Sequence, residues 1–179
     1  VEEHSRTADF VELHGDRLFG FAMLVTLGDR VLAGKVSAEA LAKGVERISE
    51  LRHPVRAAAW LRGEVTKGAG RTAWGHQRPS ELERREALEP LGVEPAAFDA
   101  LASLGVRSRA AIVATSVEGF SPADVFEIVG SDDRVRRARR DYLTAYLASS
   151  ETRQATPPSG ELAARVRATA APVLRGIRE

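Results

Sequence analysis

The chain has 179 residues and a formal charge of +1, with 26 Lys and Arg against 25 Asp and Glu, so any nucleic-acid footprint must be local. It has no cysteine, which excludes disulfides, thiolate metal sites and cysteine nucleophiles. No apolar run is long enough to span a bilayer, and VEEHSRTAD at the start lacks the basic and apolar parts of a signal peptide, so a cytoplasmic location with no membrane partner is expected.

The apolar residues repeat at helical spacing almost throughout. Thr7 can cap a first helix, along which Phe10, Leu13, His14, Leu18, Phe21, Ala22 and Val25 recur. Gly28 and Asp29 break it, and Asp29 can cap a second helix that runs to about Ser49 through Leu32, Ala33, Val36, Leu41, Val45 and Ile48. Pro54 opens a third, with Ala58, Leu61 and Val65 inward and Trp60 near one edge. The glycines of KGAG, 67–70, are expected to fray or end it.

Residues 73–79 read as a linker, polar with Gly75 and Pro79. A short charged helix over Ser80–Leu88 follows, then a break at Pro90 and Gly92. Further helices are expected over Pro95–Leu104 and Val106–Val117. Neither sustained alternation nor a hairpin turn occurs, so the expected fold is all-α.

The stretch from Gly119 to Leu147 has the shape of a helix-turn-helix. Ser121 suits an N-cap, Pro122 the first helical position, and Asp124 the positive end of the dipole. Val125, Ile128 and Val129 form a short apolar stripe and Gly130 ends it. Asp132 or Asp133 can cap the next helix. That helix opens with Arg134, Arg136, Arg137, Arg139 and Arg140, while Val135, Ala138, Tyr142, Leu143, Tyr146 and Leu147 can face inward. A recognition helix presents its first turns to DNA, so these five arginines are the candidate DNA-binding residues.

After a second linker-like stretch, 149–160, the last segment repeats Leu162, Val166, Thr169, Val173 and Ile177 on one face, with Pro172 as a kink. Its amphipathic pattern reads as a docking piece for a partner or for the body of the chain.

Taken in order, these motifs resemble a bacterial RNA polymerase sigma factor of the extracytoplasmic-function type. Phe10, Leu13, His14, Gly28-Asp29-Arg30, Ala33 and Trp60-Leu61 follow the pattern of that family's region two. Leu101, Leu104, Arg109, Gly119-Phe120-Ser121 and the run from Asp124 to Gly130 follow region four. The resemblance implies two small helical domains: a region-two-like bundle over 1–72 and a region-four-like helix-turn-helix over 91–148. A linker and short helix over 73–90 would join them, and a linker and C-terminal amphipathic helix would occupy 149–179.

It also implies transcription initiation, with bacterial RNA polymerase core and double-stranded promoter DNA as partners and an anti-sigma or other regulatory protein as a further one. Trp60 matches the position used in promoter melting, although an aromatic on a helical face also serves the core. Where the family carries an acidic pair and a glutamine that help bind polymerase, this chain has Gly34, Lys35 and Ala38. Lys35 reverses the local charge. Phe126 replaces a small residue of the helix-turn-helix, and two glycines interrupt the basic helix at 67–71. The alternative is therefore a degenerate sigma-like regulator, acting as a protein-interaction module with weakened DNA and polymerase contacts.

Catalytic chemistry is poorly supplied. His4, His14, His53 and His76 have no ligand-like partners at short spacing, and KGAGR has neither a preceding strand nor a following Lys-Ser/Thr. The expectation is no enzyme, no metal and no cofactor.

Overall fold

Caps and tight turns divide the chain. In the computed structural model, which describes residues 2–72 and 76–150, the helices are α1 (Glu2–Val25), α2 (Arg30–Glu46), α3 (Pro54–Thr72) and α4 (Glu81–Leu88), followed by α5 (Pro95–Ala102), α6 (Val106–Ile112), α7 (Pro122–Val129) and α8 (Asp132–Ser149). A 3₁₀ turn over Glu89–Leu91 follows α4, and a π-helical turn over Val113–Val117 extends α6. The fold is all-α, with no strand among the described residues. No described helix is long and apolar enough to cross a membrane. The expected C-terminal helix lies outside the described residues.

Asp29 caps α2 as its position implies, its Oδ1 accepting from the Leu32 N–H at 2.9 Å. Ser80 and Glu83 form a reciprocal capping box on α4. Three boundaries differ from expectation. Helix α1 starts at Glu2, ahead of Thr7. Helix α2 stops at Glu46, where the Arg47 N–H turns back to the carbonyls of Gly44 and Val45. Helix α3 runs through the KGAG glycines to Thr72. There Ala69 is buried, and a Cβ on Gly68 would come within 3.2 Å of Val36. Packing against α2 thus overrides the weak propensity of glycine.

Helices α1, α2 and α3 pack on one another, and α8 lies on α5 and α6. The two halves share one apolar core. Leu18, Phe21, Leu61 and Val65 from the first half meet Phe98, Ile112, Val113 and Val125 from the second in a continuous cluster. Helix α7 packs across α3, and α6 reaches both α1 and α3. The crossing of α3 on α7 is close at Gly63, where a Cβ would lie 3.3 Å from the Glu127 carbonyl oxygen.

Polar contacts tie the halves together inside this core. Arg62 on α3 donates from Nε and Nη2 to the two carboxylate oxygens of Glu118, each at 2.5 Å. Its Nη1 donates to the Ala58 carbonyl, and its guanidinium lies 5.6 Å from the Phe21 ring centre and 5.0 Å from that of Phe120. Arg109 is also buried. It donates from Nε and Nη2 to the Leu104 carbonyl, and from Nη1 to the Val25 carbonyl at the end of α1, at 2.8 Å. Burial first, then the charges of Arg78 and Arg84, hold its pKa down at about 10.

The turn between α1 and α2 is pinned from outside as well. Gly28 has φ +78, and a Cβ there would sit 2.3 Å from the Arg84 carbonyl oxygen of α4. Only glycine meets both demands. His76, in the segment between α3 and α4, places Nε2 2.7 Å from Asp29 Oδ2. One buried carboxylate thus caps α2 and anchors the connecting segment.

Candidate nucleic-acid interface

Helix α7, the turn at 130–131 and helix α8 occupy the stretch read as a helix-turn-helix. Ser121 Oγ accepts from the Asp124 N–H, and Pro122 occupies the first turn of α7. Gly130 closes α7 in the left-handed region at φ +75. The cap of α8 is Ser131, whose Oγ accepts from the Arg134 N–H. Asp132 and Asp133 instead occupy the first turn, where their charges favour the helix dipole without capping it.

On its inner face α8 buries Ala138 and Tyr142, with Val135, Ala145 and Tyr146 packed beside them. Tyr142 stacks on Tyr146, and the Tyr146 hydroxyl donates to Glu94 Oε1 at 2.5 Å. Burial raises the Tyr142 pKa, and the Glu94 hydrogen bond raises that of Tyr146. Both phenols therefore stay neutral across the ordinary pH range. Leu147, expected inside, is 44% exposed.

The outer face carries four of the five arginines. Arg136, Arg137, Arg139 and Arg140 are all exposed. Arg136 pairs with Asp133, and Arg140 with Asp141 at 3.3 Å. Arg137 and Arg139 form no ion pair among the described residues. Arg134 is half-buried, and its Nε lies inside the protein without a hydrogen-bond partner. It is the least available of the five. The exposed arginines spread over about half the circumference of α8, given 100° per residue.

Phe126 does not lie at a helix crossing. It points outward from α7 and is 53% exposed. The close approach lies on the other side of α7, where α3 passes at Gly63. Helix α7 packs more extensively on α3 than on α8, which leaves Phe126 free to be large.

The polymerase-surface candidates lie on the outer face of α2. Lys35 and Ala38 are exposed and Gly34 is half-buried, with open space where a Cβ would stand. Val31, one turn earlier, is 73% exposed. Trp60 is half-buried on α3, packed against the core, with the Arg47 guanidinium 5.2 Å above its ring. The candidate sites do not form one cluster: the arginines lie on α8, Gly34–Ala38 on α2, and Trp60 on α3.

The histidines separate by environment. His53 is exposed, and His76 pairs with Asp29. His14 is buried with its ring edge-on to Phe10, centres 4.8 Å apart. The His4 side chain lies outside the described part. Among the described residues no three His, Asp or Glu side chains gather as a metal site would require. Sequence reading missed the Arg62–Glu118 pair and the His76–Asp29 contact, because no local spacing signals either.

No family model, no curated protein and no solved structure matches the chain.

Proposed function

We propose that this chain is a sigma-factor-like transcription initiation protein that binds double-stranded promoter DNA through α8. The reading rests on one observation above all. A capped helix, a left-handed glycine and a second helix stand in series, with Arg136, Arg137, Arg139 and Arg140 facing solvent from the first half of that second helix. Inserted in a major groove, such a helix would use its unpaired Arg137 and Arg139 at once. Arg136 and Arg140 would first exchange Asp133 and Asp141 for phosphate or base edges. Bacterial RNA polymerase core would bind at Gly34, Lys35 and Ala38, and Trp60 would lie near melted promoter.

DNA binding measured across a salt series tests this. Replacing Arg136 and Arg137 with Ala should weaken binding and lower the slope of log K against log salt by about 2, since each phosphate contact contributes about 0.9. Absence of DNA affinity in the parent chain at low salt would overturn the reading.

A second reading, a sigma-like interaction module regulated through a protein partner, is favoured by a separate observation. The first helix of the helix-turn-helix is packed on α3, with Arg62 and Glu118 paired beside that crossing. A body closed in this way cannot spread its halves along polymerase and promoter without breaking a buried ion pair.

A further inference from the structure

Helix α4 keeps one face that no other described element covers. Its inner side is well engaged: Ala87 and Leu88 are buried, and Arg85 lies 4.3 Å from the Phe98 ring centre while pairing with Glu81 and Asp99. Its outer side carries Leu82, 66% exposed. Glu86 follows at a spacing of four, and Glu89, which opens the 3₁₀ turn in helical backbone, three further on, so the three share a stripe. Both glutamates are exposed and form no ion pair among the described residues.

The end of α8 lies at the corner just past α4. Tyr146 bonds to Glu94, the N-cap of α5, a few residues beyond the 3₁₀ turn that closes α4. Ser150, the last described residue, caps α8 one turn later. The chain beyond it carries the complementary chemistry. Residues 161–179 hold Arg165, Arg167, Arg175 and Arg178 against only Glu161 and Glu179, and repeat Leu162, Val166, Val173 and Ile177 at one-face spacing.

We propose that segment 161–179 docks on the outer face of α4, its apolar residues over Leu82 and its arginines against Glu86 and Glu89. Ten residues, the number in 151–160, span about 16–19 Å as a random coil, and a helix of eight residues is about 12 Å long. Tethering raises the local concentration of the segment to the millimolar range, so a contact too weak to hold a free peptide holds this one. The proposal is independent of DNA binding by α8.

The absence of native cysteine allows a clean test on the full chain. A nitroxide is placed on Gln77→Cys, an exposed position just before α4, and amide signals of an isotopically labelled sample are followed. Signals from 161–179 should broaden at about 0.1 M salt. They should recover near 1 M, where the Debye length falls from about 10 to about 3 Å. They should also recover in Glu86→Lys/Glu89→Lys and in Leu82→Ser, with core chemical shifts unchanged. No broadening would overturn the proposal, as would broadening indifferent to salt and to all three substitutions. Broadening found only when label and isotope sit on different molecules would assign the α4 face to a second copy instead.

Discussion

The Arg62–Glu118 pair invites a direct perturbation. Glu118→Ala removes both acceptors of a guanidinium whose side chain is 3% exposed, against 17% for the glutamate. Arg62 would keep one hydrogen bond, to the Ala58 carbonyl at 3.0 Å, and the flanking rings of Phe21 and Phe120. Breaking a buried pair from one side costs about 3–5 kcal/mol, because the remaining charge is left uncompensated. The partial exposure of Glu118 admits some water, which places the expected loss near 3 kcal/mol. With a urea m-value of about 2 kcal/mol/M, the midpoint should fall by about 1.5 M. Removing the charges together, Arg62→Met with Glu118→Leu, should recover most of the loss, since apolar replacement of a whole buried pair is often neutral. Because the pair joins α3 to the segment before α7, hydrogen exchange should accelerate in both halves of the Glu118→Ala protein. A change within about 0.5 kcal/mol, the range of an ordinary surface substitution, would mean that Arg62 is solvated and that the halves are not closed over it.

Further outcomes are expected elsewhere. Gly28→Ala should destabilise more than Gly130→Ala in thermal unfolding. Both have positive φ, but the new Cβ meets the Arg84 carbonyl oxygen at 2.3 Å in the first case and nothing within 4 Å in the second. Left-handed backbone alone costs about 1–2 kcal/mol, and equal losses would refute the close approach of α4. The pKa of His14 is lowered from 6.5 by burial, then by the charges of Arg62 and Arg17. The unfolded chain therefore takes up the proton first, so stability should decline as pH falls below 6.5. His14→Asn should flatten that slope, and an unchanged profile would assign it to other groups. Introducing Gly34→Glu, Lys35→Asp and Ala38→Gln should tighten binding to RNA polymerase core in a fluorescence titration, because acids there replace a cation. Equal affinities would move the contact off α2.

Much of the helix plan was legible from local chemistry. Asp29, Ser121 and Gly130 mark their boundaries because a cap or a left-handed turn acts within three or four residues. The same locality explains the errors. Choosing Ser131 over Asp132 depends on which residue takes extended backbone. The survival of α3 through Gly68 and Gly70 depends on α2. Phe126 reads as crowded only if α7 crosses α8 closely, whereas α3 takes that role through Gly63. At the candidate interface, sequence spacing brought out the arginine run but could not separate half-buried Arg134 from the exposed four. Nor could it pair Arg62 with Glu118, 56 residues away, or His76 with Asp29.

The π-helical turn at 113–117 has a consequence for phase. The Glu118 N–H reaches back five residues to the Val113 carbonyl, and the Phe120 N–H reaches the Ala114 carbonyl. A wide turn of this kind holds one residue more than an α-turn, so everything after it is rotated by about 100° relative to an uninterrupted helix. Glu118 thus takes roughly the angular position that Val117 would otherwise hold. Deleting one residue from 113–117 would restore a regular helix with little change in composition. It would leave Glu118 close to its present bearing toward Arg62, whereas closing the turn to an α-helix with all its residues kept would offer Val117 to Arg62, turn the carboxylate aside and swing the start of α7, four residues on, to a new bearing over α3. The relation between the two halves is therefore set by the hydrogen-bond register of one turn as much as by side-chain chemistry.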